Sequence, residues 1–345
     1  MTSIKTRTPL RAAAIGLALA ATLAGPAIAQ TVATPQQNIL KWPLPDTLSP
    51  EGKAMATGMA NAPTPNPMPP IAQQRQMLDA MQSAMSAPLL KRYGVRVEAA
   101  VIAGVPVRIV FPAGVTALGK GAVLLNLHGG GFQFDAGSLT ESIPIAGLTG
   151  LPVVSVLYRL APEHPFPAAL DDAFAVYQAL EKKRPATKIA VYGTSAGAVL
   201  SGELIAKLTA LHRPMPAALG FFSGSADISK HGDSESWAPL PTGDATLAGS
   251  ISGYVGKTDP VDPILSPLQG EIAHFPPTLL VSSSRDILLS DTAIFGRALL
   301  EKGVDARLVV FDALPHAFWT YMDIPESTQA QTLMADFLKK RVAPR

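Results

Sequence analysis

The sequence predicts an α/β fold, a mostly parallel central sheet of about eight strands flanked by helices. Three observations carry that prediction. Short apolar runs of strand length alternate with helical stretches from Val95 onward. Two of those runs lead directly into glycine-rich loops, at His128–Phe132 and Gly193–Gly197. A serine, an aspartate and a histidine follow three of the runs in that chain order, at Ser195, Asp286 and His316.

The elements follow in order. Lys5, Arg7 and Arg11 precede the small and apolar run Ala12–Gly25, which ends in Ala27-Ile28-Ala29. That pattern predicts a signal peptide over 1–29, cleaved after Ala29, and a periplasmic or secreted protein. The run is short of the roughly twenty apolar residues of a membrane span, and no stable span is expected after cleavage. Residues 30–94 form a Pro/Met-rich segment ending in a cap helix. Asn61 to Pro70 is too proline-rich for a regular helix or central strand, whereas Ile71–Leu90 reads as a helix. Met77, Leu78, Met81 and Met85 recur on it at helical spacing. Core packing is the preferred reading of those methionines, over an adaptable cap.

The catalytic domain is predicted over 95–345. Val95–Phe111 reads as two strands joined at Ala103-Gly104, a hairpin signal. Val123–Leu127, Val153–Leu157, Ile189–Tyr192, Ala217–Phe222, Thr278–Val281 and Leu308–Phe311 have the length and composition of strands buried on both faces. Leu170, Phe174, Tyr177 and Leu180 share one helical face. Ile294, Leu299 and Leu300 lie on another helix, which stops at Gly303. Residues 226–269 break the alternation and read as an insertion over the strand ends, where open α/β sheets place their ligands. Trp237 lies in it, with local packing preferred to substrate contact.

Composition excludes several alternatives. The 345 residues are 48% hydrophobic, enough to bury a large core. With 28 Lys and Arg against 26 Asp and Glu, the formal charge of +2 leaves no electrostatic footprint for nucleic acid. The absence of cysteine removes thiol catalysis, disulfides and thiolate metal sites.

The chemistry-bearing residues sit at strand ends. In Gly193-Thr-Ser195-Ala-Gly197 the serine occupies a strand-to-helix turn, where small neighbours permit a strained backbone with an exposed hydroxyl. The entering helix points its N–H groups at the same place and favours negative charge there. His128-Gly-Gly-Gly-Phe132 brings backbone donors to a ligand without intervening side chains. For acyl transfer each such donor is worth about 10²–10³ in rate. His128 itself reads as structural. His316, in Leu314–Trp319, is the candidate base, and Asp286 the acid that fixes its tautomer. Asp291 reads as a helix cap, with Asp262 and Asp312 as weaker alternatives for the acid.

Together these pieces resemble the hormone-sensitive-lipase-like group of α/β-hydrolase esterases, the bacterial family IV enzymes. The match runs through HGGGF at 128–132, YRLAPEHPFPAALDD at 158–172, GTSAG at 193–197, DPILSP at 262–267, FPPTLLVSSSRDILLSD at 275–291 and PHAFW at 315–319. The resemblance implies Ser195 as nucleophile, Asp286 as acid and His316 as base. It also implies oxyanion N–H groups from Gly130, Gly131 and Ala196, a helical cap from the N-terminal helices and part of the insertion, and preference for short acyl esters. Phe132 and Trp319 are expected to line the substrate pocket. Ala317 and Ala198 stand where the family usually has glycine. Arg159, Glu163 and Asp171 or Asp172 are expected to form a structural polar cluster.

The expected function is hydrolysis of small-molecule carboxylic esters through an acyl-enzyme, with no cofactor and no metal. Lactone hydrolysis or peptidase action by the same triad is the alternative. A catalytically silent binding protein is the rival outside enzymes. Oligomeric state, monomer or homodimer, stays open.

Overall fold

A computed structural model describes residues 42–61, 69–237 and 251–343. The expected signal peptide lies outside the described residues, as do 238–250 of the insertion.

Among the described residues two helices come first, α1 (Pro50–Asn61) and α2 (Ile71–Tyr93). The second is closed by Gly94, whose φ of 62° is the left-handed conformation that suits glycine at a helix end. The hairpin follows, β1 (Arg96–Ile102) and β2 (Val105–Phe111), turning at Ala103 and Gly104 as the sequence predicts. Thereafter β3 (Val123–Leu127), α3 (Ser142–Thr149), β4 (Val153–Val156), α4 (Ala168–Glu181), β5 (Ile189–Thr194), α5 (Ala196–Ala210) and β6 (Ala218–Phe222) alternate. The short α6 (Ser252–Val255) precedes β7 (Thr278–Arg285), α7 (Leu289–Glu301), β8 (Ala306–Pro315) and α8 (Pro325–Val342).

The strands form one eight-stranded sheet in the order β1-β2-β4-β3-β5-β6-β7-β8. Only the β1–β2 and β2–β4 pairs are antiparallel. The alternation of side chains along a strand divides the core in two. Leu125, Val154 and Val191 pack on one face with Tyr177, Leu204 and Phe295 from α4, α5 and α7. Leu124, Val153 and Tyr192 pack on the other with Ile143, Met334 and Leu338 from α3 and α8. Both faces are covered, so the central strands read as continuous apolar runs.

One sequence expectation changes here. β8 is the sheet edge rather than a doubly buried strand, and its Leu308 and Val310 are 40% and 45% exposed. α7 carries Ile294, Leu299 and Leu300 and ends ahead of Gly303 as expected; Leu299 faces the core, while Ile294 and Leu300 are exposed. Phe295, one position on from Ile294, takes the inward place. Among the described residues no helix is long and apolar enough to cross a membrane.

Candidate active site

The parallel strands β5, β6, β7 and β8 deliver four side chains to one place at their C-terminal ends. Ser195 follows β5 directly and has φ 59° and ψ −126°, a conformation that L-residues rarely adopt. The turn is held from several sides. The Ser195 N–H donates to the Phe222 carbonyl at 2.9 Å. A Cβ on Gly193 or Gly197 would strike the Leu127 carbonyl oxygen at the end of β3, so the glycines are what let the elbow press against the neighbouring strand.

His316 lies just past β8. Its Nε2 is 2.9 Å from Ser195 Oγ, and its Nδ1 is 2.7 Å from Asp286 Oδ1. Asp286 follows β7 and is fully buried. Its Oδ1 also accepts the Leu288 N–H at 2.9 Å, and its Oδ2 accepts the Ser282 hydroxyl at 2.8 Å. Burial alone would push this carboxyl up. The adjacent His316, the Ser223 hydroxyl and the Leu288 N–H outweigh it and hold the group below the ordinary carboxylate range. The Tyr321 hydroxyl donates to the His316 carbonyl at 2.8 Å and fixes the loop that carries the ring. The site thus brings together all three residues that the sequence singles out.

The glycine loop lies opposite. Gly130 has φ 119° and Gly131 φ 59°, and a Cβ on Gly130 would collide with the Phe134 carbonyl. Among the described residues no acceptor meets the Gly130 or Gly131 N–H. Ala196 is the first residue of α5, so its N–H has no partner within the helix. His128 is buried and stacks on Tyr158 at 4.1 Å between ring centroids, with Nδ1 2.9 Å from the Gly129 carbonyl. That is the structural role expected of it.

A cavity of about 470 Å³ opens beside Ser195 and His316. Leu78, Met81 and Met85 of α2 and Met59 of α1 line it, with Thr320, Tyr321, Thr140 and Glu141. Met81 and Met85 therefore face the cavity, against the preferred reading of core packing, and Met77 is simply 54% exposed. The helix is tied down by buried Gln82, which accepts the Leu139 N–H at 2.7 Å, and by Arg75, which donates to the Gln133 and Ala161 carbonyls at 2.8 Å each.

Both expected pocket aromatics are corrections. Phe132 is fully buried and stacks on Tyr254 at 3.5 Å, because the left-handed φ of 60° at this residue turns its side chain into the core beneath the loop. Trp319 is 3% exposed and donates Nε1–H to Thr194 Oγ1 at 3.1 Å, bracing the elbow from behind. No described residue of 226–269 lines the cavity. Among the described residues of the insertion, Tyr254 stacks on Phe132 beneath the glycine loop.

The expected polar cluster divides. Arg159 pairs with Asp172 at 2.9 Å, but Glu163 pairs with Arg75 of the cap helix and Asp171 with Lys207. Asp291 is not a helix cap. It sits buried in the first turn of α7, pushed up to about 7 by burial and by the nearby Glu235.

Two groups at the site escaped sequence reasoning. Ser223, after β6, donates its hydroxyl to Asp286 Oδ2 and stands 2.7 Å from His316 Nδ1. Nothing in Phe221-Phe-Ser-Gly-Ser225 marks it in the sequence. Glu141 is fully enclosed in the cavity wall, and burial pushes its carboxyl up to about 8 against hydrogen bonds from Asn126 and Gly129.

The comparisons with known proteins agree with this fold. Residues 124–320 match a family described by its alpha/beta hydrolase fold. The chain is 32% identical over 231 residues to an acetyl-hydrolase of Streptomyces hygroscopicus, an alignment covering 64% of this chain and 76% of the relative. It is 31% identical over 227 residues to an esterase of Acinetobacter venetianus, covering 62% and 74%. Among solved structures, esterase E25 superposes with a TM-score of 0.75 at 32% identity, covering 87% of this chain and 97% of that one. An esterase from the bacterial hormone-sensitive lipase family gives 0.69 at 28% identity, covering 81% and 94%. The chain belongs to the α/β-hydrolase family and, within it, to the esterases of the hormone-sensitive-lipase type.

Proposed function

We propose that this esterase cleaves short-chain carboxylic esters through a Ser195 acyl-enzyme. The observation that carries the reading is the unbroken chain Ser195 Oγ, His316 Nε2, His316 Nδ1, Asp286 Oδ1, with links of 2.9 and 2.7 Å and the serine on a strained turn. His316 takes the Ser195 proton as Oγ attacks the ester carbonyl, and Asp286 holds the imidazolium that forms. The free N–H groups of Gly130, Gly131 and Ala196 receive the oxyanion, where preorganised donors act most strongly. His316 returns the proton to the leaving alcohol. It then activates water to release the acid. Confinement of the cavity by Met81, Met85 and Glu141 supports a short acyl group. Residues 1–29 support export to the periplasm or medium.

The test is turnover of p-nitrophenyl acetate, butyrate, octanoate and palmitate by the mature protein, beside lactones and anilides. Rapid hydrolysis of the short esters is expected, abolished by a fluorophosphonate that labels Ser195. Ser195→Ala is expected to lose turnover by about 10⁶-fold. A variant keeping a tenth of the wild-type rate, or a clear preference for lactones, overturns the reading.

A further inference from the structure

We propose that Ser223 is a positioning residue of this site, its hydroxyl locking the Asp286 carboxylate and the His316 imidazole into register; the proposal rests on the reading of Ser195 as nucleophile.

Among the described residues, Ser223 is the side chain outside the triad that touches both acid and base. Its hydroxyl donates to Asp286 Oδ2, and its Oγ stands 2.7 Å from His316 Nδ1. When Nε2 accepts the Ser195 proton, Nδ1 carries the other one. That Nδ1–H then lies between two acceptors, Asp286 Oδ1 at 2.7 Å and Ser223 Oγ. The second acceptor counts most once the ring is charged, because hydrogen bonds to ionised groups are about twice as strong as neutral ones. The ring is also prevented from rotating about its single bond to Asp286, a motion that would swing Nε2 away from Ser195.

The backbone is shaped for this placement. Ser223 has φ 56°, a left-handed conformation that L-residues rarely adopt. It is held there by its N–H, which donates to the Val281 carbonyl of β7 at 2.8 Å. Strain maintained at a strand end beside a reacting pair is the pattern expected where geometry serves function. Ser282 supplies the contrast. Its hydroxyl also reaches Asp286 Oδ2, at 2.8 Å, without contacting the imidazole.

The test compares Ser223→Ala, Ser223→Gly and Ser282→Ala in the full chain. Both Ser223 variants are expected to lower kcat by about 10- to 100-fold, the range for a hydrogen bond to a charged group. KM should stay within a factor of about two, since uniform binding is untouched. Labelling of Ser195 by a fluorophosphonate should slow by the same factor as kcat. The low-field NMR resonance of the His316 Nδ1 proton should move. Ser282→Ala should change kcat much less, because it leaves the imidazole contact in place.

Wild-type kcat in Ser223→Ala overturns the proposal. So does recovery in Ser223→Gly, which would assign the effect to backbone strain, and so does an equal loss in Ser282→Ala, which would assign it to support of the carboxylate alone. If the alanine variant fails to fold, the glycine variant, favoured by the left-handed backbone, carries the test. Failure of the wild type to turn over esters would remove the underlying reading instead, so the two failures are told apart.

Discussion

At the scale of single residues, the site shows how much a side chain's direction depends on its backbone. Phe132 closes the glycine-loop motif and Trp319 closes the histidine motif, yet both turn away from the cavity. The replacement Phe132→Leu should therefore lower the melting temperature by several degrees, about 1–3 kcal/mol of lost packing. The butyrate-to-octanoate ratio of kcat/KM should stay unchanged; a shifted ratio would return Phe132 to the pocket wall. Ser195, Asp286 and His316 were legible because each follows a recognisable strand within a spaced motif. Ser223 was not, because its importance arises from β6 and β7 lying side by side. That adjacency has no counterpart in local sequence.

At the scale of elements, the doubly covered strands declare themselves as apolar runs, and the hairpin does so through Ala103-Gly104. β8 misleads because a sheet edge can carry the same β-branched and aromatic residues as its interior. The methionines of α2 mislead in another way, since helical periodicity records that a face meets apolar surroundings without saying whether these are core or cavity. Met81 and Met85 stand over a cavity of about 470 Å³, closed by a helix that Arg75 and Gln82 fasten to the loop after β3. Shortening Met85 to alanine should raise kcat/KM for octanoate relative to acetate by several-fold, read from the p-nitrophenyl series. An unchanged or lowered ratio would mean that acyl chains extend elsewhere. The insertion expected to shape the pocket contributes, among the described residues, a support for Phe132 through Tyr254.

At the scale of the whole molecule, buried carboxyls set the response to pH. Glu141 and Glu203 are both pushed up to about 8 by burial, and Glu203 Oε2 accepts the Tyr254 hydroxyl at 2.5 Å. The native protein holds protons there that the unfolded chain releases near pH ~4.3. The unfolded state thus binds fewer protons between that value and about 8, and stability falls as pH rises through this window. Asp286 works in the opposite sense. Its lowered value stabilises the fold above the ordinary carboxylate range, and that contribution is lost as pH falls through the depressed value. Chemical unfolding should accordingly show greatest stability in mildly acidic solution. Glu203→Gln should raise the melting temperature at pH 8, by about 2–4 °C for each kcal/mol recovered, and lose its advantage near pH 4. A gain that persists undiminished at pH 4 would place its origin outside proton linkage.

The arrangement of the cap helix along the chain has one more consequence. The residues at the cavity mouth from α1 and α2 all precede Gly94, and every strand of the sheet follows it. The helical part of the cavity wall, with Met59, Leu78, Met81 and Met85, and the triad therefore lie on separate stretches of the chain, joined at a single glycine. A recombination event at that one point can exchange the helical half of the wall while leaving the triad, and the half of the wall built around it, on an uncut scaffold.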